Sequence, residues 1–162
     1  MKHTVLFALP VVALMSCQAP GERTTTNDNN TATMNTSNDQ AAIESLLFAY
    51  RDALNASSVD QVMALYTNDG VFMPTGFPTA VGTEQVKGAY TGVFSMIKLS
   101  IEFFVDEIQV DGDHAFARTT SKGSTLIHST GETVPEENRE LFVLQRTESG
   151  WKIARYMFNK MK

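Results

Sequence analysis

The chain has 162 residues, 43% of them hydrophobic, and a formal net charge of -5. That length and apolar content are those of one globular domain. The mildly acidic balance, with basic residues scattered along the chain, argues against nucleic acid as a partner, and the single cysteine, Cys17, excludes an internal disulfide.

Met1-Lys2-His3 is a short basic opening, and the apolar run from Thr4 to Met15 is too short to span a bilayer. Together they predict a signal peptide over residues 1–17. Its end, Leu14-Met15-Ser16-Cys17, resembles a bacterial lipobox. The resemblance implies lipidation of Cys17, an acyl chain as the only membrane attachment, and a periplasmic or outer-membrane-anchored location. Plain secretion with cleavage nearby is the alternative. Residues 18–38, which include the polar run Thr24 to Thr31, lack any apolar period and predict a disordered tether. The folded domain is expected over residues 39–162.

Asp39 stands where an N-cap would precede the first helix. Ile43, Leu46, Leu47, Tyr50, Ala53 and Leu54 follow at spacings of three and four, one stripe on one helix face. Asn55-Ala56-Ser57 breaks that period. Ser58-Val59-Asp60-Gln61 then forms a capping box before a short helix that buries Val62, Met63, Leu65 and Tyr66. Asn68-Asp69-Gly70 predicts a turn, Val71-Phe72-Met73 a strand and Pro74 its end. Thr83 is the expected cap of a third helix over residues 83–96, with Val86, Tyr90, Val93, Phe94 and Ile97 on one face. Leu99, Ile101, Phe103 and Val105 alternate with Ser100, Glu102 and Phe104 as a strand does. Asp111-Gly112 predicts a hairpin into a return strand from His114 to Leu126. Gly131 and Pro135 mark a polar connection. Strands from Arg139 to Arg146 and from Trp151 to Phe158 follow, joined at Glu148-Ser149-Gly150. Helices followed by a mostly antiparallel sheet make the class α+β.

Several of these features resemble the NTF2-like superfamily, the cone-shaped α+β fold of ketosteroid isomerases and SnoaL-like polyketide cyclases. They are the helix ending Ala53-Leu54-Asn55, the junction from Leu65-Tyr66 to Asp69, Gly82 ahead of the third helix, and Gly150-Trp151-Lys152-Ile153 opening the last strand. The nearest group is that of the ketosteroid isomerase homologues. The resemblance covers residues 39–162. It implies three helices packed in a strongly bent sheet, a ligand pocket inside the cone, and a homodimer formed through the sheet.

The resemblance also implies roles. A tyrosine late in the first helix of ketosteroid isomerases donates to the substrate oxygen, and Tyr50 stands at that place. The isomerase base is a carboxylate beside the first strand, just before its proline; here the place is Met73, followed by Pro74. The second oxyanion donor, a carboxylic acid in the penultimate strand, is matched near Val143. Neither methionine nor valine exchanges a proton, so steroid-isomerase chemistry is not expected. Asp69 is the nearest carboxylate, and beside glycine it also suits a turn. Tyr50 and Asp69 are therefore the catalytic candidates.

Arg118, Glu140, Arg155 and Tyr156 fall on strands whose parity decides whether they face a pocket. Tyr50, Met73, Tyr90, Phe94, Arg118 and Glu140 are the candidate pocket residues, with Arg118 and Glu140 as a possible inward ion pair. His114 and His128 are too far apart along one strand to share a metal, and no second cysteine or closely spaced histidine pair assists them. No metal site, cofactor motif, nucleophile elbow or phosphate loop is present. Three functions follow: binding a small, largely apolar molecule in the cone; isomerase- or cyclase-type catalysis by Tyr50 with a carboxylate; or dimerisation without catalysis.

Overall fold

In a computed structural model of the protein the described residues are 28–161, with side chains from residue 36. The predicted signal peptide with Cys17, and residues 18–27 of the expected tether, lie outside them. The described elements run α1 (Asp28–Asn55), α2 (Val59–Leu65), β1 (Tyr66–Met73), β2 (Ala80–Val81), α3 (Gly82–Met96), β3 (Ile97–Asp111), β4 (His114–Ile127), β5 (Thr133–Thr147) and β6 (Gly150–Lys160). The strands form one sheet in the order β2-β1-β6-β5-β4-β3. Only the β1–β6 pair is parallel. The class is α+β, as expected.

The helical stripe holds. Ile43, Leu46, Leu47, Tyr50, Ala53 and Leu54 are all buried against the inner face of the sheet. The start of the helix differs. α1 begins at Asp28, so residues 28–38 continue the helix where a structureless tether was expected. Once the apolar stripe has nucleated a helix, each preceding residue adds one hydrogen bond for one residue ordered. Asp39 is accordingly inside the helix and not its cap. Its carboxylate accepts from both terminal nitrogens of Arg146, at 2.7 and 2.6 Å, and from Trp151 Nε1 at 3.2 Å. The hydrogen bonds from Arg146 hold the Asp39 carboxyl below its ordinary range. The guanidinium also lies 4.5 Å from the centre of the Trp151 ring, so one side chain latches α1 to β5 and β6.

The second helix is capped as predicted: the Ser58 hydroxyl accepts from Gln61 N–H at 3.4 Å. Thr83 is not a cap; its hydroxyl donates to the Asn68 carbonyl, and Gln85 Oε1 accepts from Val81 N–H instead. Asn68-Asp69-Gly70 is no turn either, but the irregular middle of β1, where the register on β6 shifts between Tyr66 and Val71. A Cβ at Gly70 would come within 2.6 Å of the Tyr66 ring, so glycine lets the ring fold back over the bulge. Pro135 lies within β5 and not in a connection. It pairs only with β4, because β6 joins from Asn138, so the missing N–H faces an unpaired edge.

β3 is the long edge strand of the sheet, with the two-residue β2 at the other edge. Asn55, at the end of α1, covers that edge. Its amide nitrogen donates to the Ile101 carbonyl at 2.8 Å, and its Oδ1 accepts from Ile101 N–H at 2.9 Å. Across from Ile101 stands Gly123. A Cβ there would lie 2.1 Å from the Ser100 carbonyl oxygen and 2.8 Å from Ile101 Cα. β3 and β4 therefore approach at the clamp as only glycine permits.

Gly123→Ala is expected to destabilise the fold by about 1–3 kcal/mol or more, since backbone must move. Asn55→Ala is expected to cost about 1 kcal/mol for each of its two hydrogen bonds. Urea midpoints measure both; a wild-type midpoint in Gly123→Ala would contradict the close approach.

Candidate functional site

Alternation along each strand decides what enters the cone. On β4 Ala115, Ala117, Thr119, Ser121 and Thr125 are buried, and on β5 Asn138, Glu140, Phe142 and Leu144. Between this inner face, α1 and α3 lies a cavity of about 730 Å³. Its walls are aromatic (Tyr50, Phe72, Tyr90, Tyr156, Phe158) and aliphatic (among them Leu54, Leu99, Ile101 and Ile127). Phe77 and Met96, 63% and 49% exposed, mark its open side.

The aromatic side is a rigid stack. Phe72 lies parallel to Tyr90 at 4.6 Å and to Tyr156 at 5.5 Å, while Tyr50 meets Tyr156 edge-on at 5.3 Å. Three phenols form a chain: Tyr90 is hydrogen-bonded to Tyr50, and to Tyr66 at 2.9 Å. Burial pushes all three hydroxyls well above the ordinary tyrosine value, so each keeps its proton. Two bonds use two of three protons. When the chain runs from Tyr66 through Tyr90 to Tyr50, the proton left over belongs to Tyr50, at the cavity wall.

Of the two carboxyls that line the cavity from β5, Glu136 and Glu140, the more buried is Glu140, 4% exposed. It accepts from Thr119 Oγ1 and, at 3.4 Å, from the Tyr156 hydroxyl. Burial pushes its carboxyl up, against the pull of hydrogen bonds from Thr119, Ser121 and Tyr156. Among the described residues no cation pairs with it. The phenols supply donors, and Glu140 can hold or release a proton: the arrangement suits acid–base work on an oxygen-bearing ligand. Among the described residues no group of three or more His, Cys, Asp or Glu side chains could hold a metal ion.

The structure brings together Tyr50, Tyr90 and Glu140 of the candidate set and leaves out the others. Arg118 points to the outer face, where it pairs with Asp106 at 3.2 Å and Glu107 at 3.5 Å, so the Arg118–Glu140 pair does not form. Asp69 is on the exterior, its side chain 70% exposed and paired with Arg155 at 3.4 Å; it cannot act as a base in the cavity. Met73 is excluded by parity, because Phe72 takes the inward position on β1. Phe94 packs on Tyr90 at 5.9 Å without lining the cavity, while Val93 and Met96 line it. Val143 lies on the outer face, 36% exposed, so it does not enter the cavity; β5 brings Glu140 and Glu136 there instead. His128 stands at the rim with Nδ1 3.0 Å from the Ser95 carbonyl, and His114 is exposed.

Sequence reasoning missed Phe72, Tyr66, Asn138 and Glu136 as parts of the site. The period-two signal that would find them is weak on β5, because both parities carry apolar residues: Phe142 and Leu144 inward, Leu141 and Val143 outward.

A family model described as a SnoaL-like domain matches residues 47–156. No curated protein matches the chain. Among solved structures, a ketosteroid isomerase-like protein from Erwinia carotovora is 35% identical, with a TM-score of 0.72 over 75% of this chain and 95% of that one. An NTF2-like protein with a cystatin-like fold from Novosphingobium aromaticivorans is 19% identical, with a TM-score of 0.66 over 85% of this chain and 92% of that one. An NTF2-like superfamily protein from Salmonella enterica is 17% identical, with a TM-score of 0.70 over 78% of this chain and 94% of that one. The last two share the fold. The matched domain runs from the buried stripe of α1 through Tyr156 on the last strand, taking in Tyr50, Tyr90 and Glu140, and the chain belongs to the SnoaL-like domain family of the NTF2-like fold.

Proposed function

We propose that the protein binds a small, largely apolar molecule inside the cone, with the polar end of the ligand against Tyr50 and the β5 wall. The carrying observation is the cavity itself: about 730 Å³, walled by stacked aromatic and aliphatic side chains, with a few polar groups gathered on one side. Small-molecule sites are of this kind, roughly 300–1,000 Å³ and apolar with a few placed polar groups.

A second reading, isomerase- or cyclase-type catalysis, is favoured by one observation. The Tyr66–Tyr90–Tyr50 chain supports a phenol donor on a cavity that also holds an uncompensated carboxyl, Glu140. Here Tyr50 donates to a ligand carbonyl, and Glu140 takes the proton from the adjacent carbon.

The outer face of the sheet exposes Phe104, Phe116, Leu141, Val143 and Met157. Register puts Phe116 beside Val143 and Leu141 beside Met157, one continuous apolar surface. It supports a homodimer packed sheet to sheet.

Each reading has its expected outcome. The neutral fluorophore N-phenyl-1-naphthylamine should brighten on binding the full chain, one per protomer. Leu99→Trp, which sets an indole in the cavity, should remove the signal; an undiminished signal would place the probe elsewhere. The catalytic reading expects α-proton exchange of 2-tetralone into deuterated water, followed by NMR, and about a 10²-fold loss in Glu140→Gln. Exchange at the buffer rate sinks that reading. The active form is the carboxylate, so exchange should rise with pH through a value above the ordinary glutamate value of about 4.3. Stability runs the other way: the folded chain keeps a proton that the unfolded chain has lost, so the contribution of Glu140 is full below about pH 4.3 and lost as pH rises through the raised folded value. For the dimer, Leu141→Lys should halve the mass seen by light scattering at micromolar concentration; a monomeric unsubstituted chain rules the dimer out.

A further inference from the structure

The polar wall of the cavity leaves one acceptor over. Asn138 lies on the inner face of β5, 5% exposed, and lines the cavity. Its amide nitrogen donates to Glu136 Oε1 at 3.0 Å and to Ser121 Oγ at 3.3 Å. An ionised Glu136 only accepts, so the NH2 group must face it and the amide cannot be turned over. Oδ1 is then buried without a partner, which is costly unless something donates to it.

The charge on this wall has the same bias. Glu136 accepts from Lys160 at 3.2 Å and from Thr125 at 2.9 Å, and is thereby compensated. Glu140 receives hydrogen bonds from neutral groups only, Thr119, Ser121 and Tyr156. Among the described residues no lysine or arginine lines the cavity, and His128, the one lining side chain able to become a cation, sits exposed at the rim. Buried carboxylates ordinarily have a cationic partner, and none of the described residues supplies one to Glu140.

We propose that the cavity selects an apolar molecule with an amine head, its N–H on Asn138 Oδ1 and its charge facing Glu140, and turns away apolar acids. This rests on the pocket reading above. An alcohol could satisfy Asn138 with its one proton but would leave Glu140 without a counter-charge. An ammonium carries donors for Asn138 and the charge for Glu140 together. A carboxylate would set a third acidic group beside Glu136 and Glu140 and an acceptor against an acceptor.

The test holds the apolar body constant and changes the head. At pH 7, 2-methylnaphthalene, 2-naphthylmethanol, 2-naphthylmethylamine and 2-naphthoate compete with N-phenyl-1-naphthylamine on the full chain. The amine should bind at least tenfold tighter than the hydrocarbon, and the naphthoate weakest of the four. Asn138→Leu and Glu140→Gln should each shrink the ratio of amine to hydrocarbon affinity severalfold. The head-group series on the unsubstituted chain stands by itself if either variant fails to fold. Naphthoate binding as tightly as the amine overturns the proposal. So does hydrocarbon binding with no head-group preference, the result expected if water alone satisfies Asn138. Failure of all four, the hydrocarbon included, overturns the pocket reading beneath it.

Discussion

The Asn55 side chain holds the Ile101 backbone by both of its polar groups, and the placement of the cavity depends on that clamp. The free edge of a sheet offers unpaired N–H and C=O groups. Asn55 takes one of each and ties the C-terminal end of α1 to the edge strand. Tyr50, just over one turn earlier on the helix, is thereby carried over the inner face, where its ring meets Phe103, Phe142 and Tyr156. Gly123 completes the arrangement from the other side, since the approach of β4 to Ser100 and Ile101 leaves no room for a Cβ. Helix, edge and bend are one constraint, and the space left between them is the cavity.

Within that space the residues divide by height on the sheet. Toward the closed end, Ala115, Ala117, Phe142, Leu144 and Ile153 give a dry floor. Toward the other end the inward positions become Thr119, Ser121, Thr125, Asn138 and Glu140. Most of these groups satisfy one another across the β4–β5 pair, as buried polar groups must. The unpartnered oxygen of Asn138 and the uncompensated carboxyl of Glu140 are the exceptions. Unfilled capacity gathered in one place beside an apolar chamber is what separates a binding wall from a polar patch of core.

The elements were largely legible in the sequence, because contrast between apolar and polar residues was strong there. The stripe from Ile43 to Leu54 and the alternation from Leu99 to Val105 both match the observed burial. The site was legible only in part. Tyr50 and Tyr90 lie on helices, where a face is fixed by spacing. Arg118, Met73 and Val143 lie on strands, where a slip of one residue exchanges the two faces. Irregularities in register interrupt β1, β3 and the β5–β6 pair. On β5 the outer face is itself apolar at Leu141 and Val143, so alternation carried no contrast where it mattered most. Asp69 misled for a related reason: the local chemistry of Asn-Asp-Gly is that of a turn, yet here it serves a bulge whose acidic residue points to Arg155 outside the cone.

Membership of the SnoaL-like family fixes the scaffold and leaves the chemistry to the residue types at its inward positions. The β1 side of the cavity is lined by Phe72, then Pro74 beyond the strand end, neither of which can move a proton. The phenols of the cavity are held protonated by burial and do not serve as bases. Of the two described carboxyls that line the cavity, Glu136 is paired with Lys160 and Glu140 has no cationic partner; Glu140 reaches the cavity from β5, across from α1. The catalytic reading therefore takes its base from the penultimate strand and not from the first. A ligand served by Tyr50 and Glu140 together must lie between the helix and β5, against the Phe72, Tyr90 and Tyr156 stack, and that geometry follows from the inward parity of β5 and the clamp that carries Tyr50 over it.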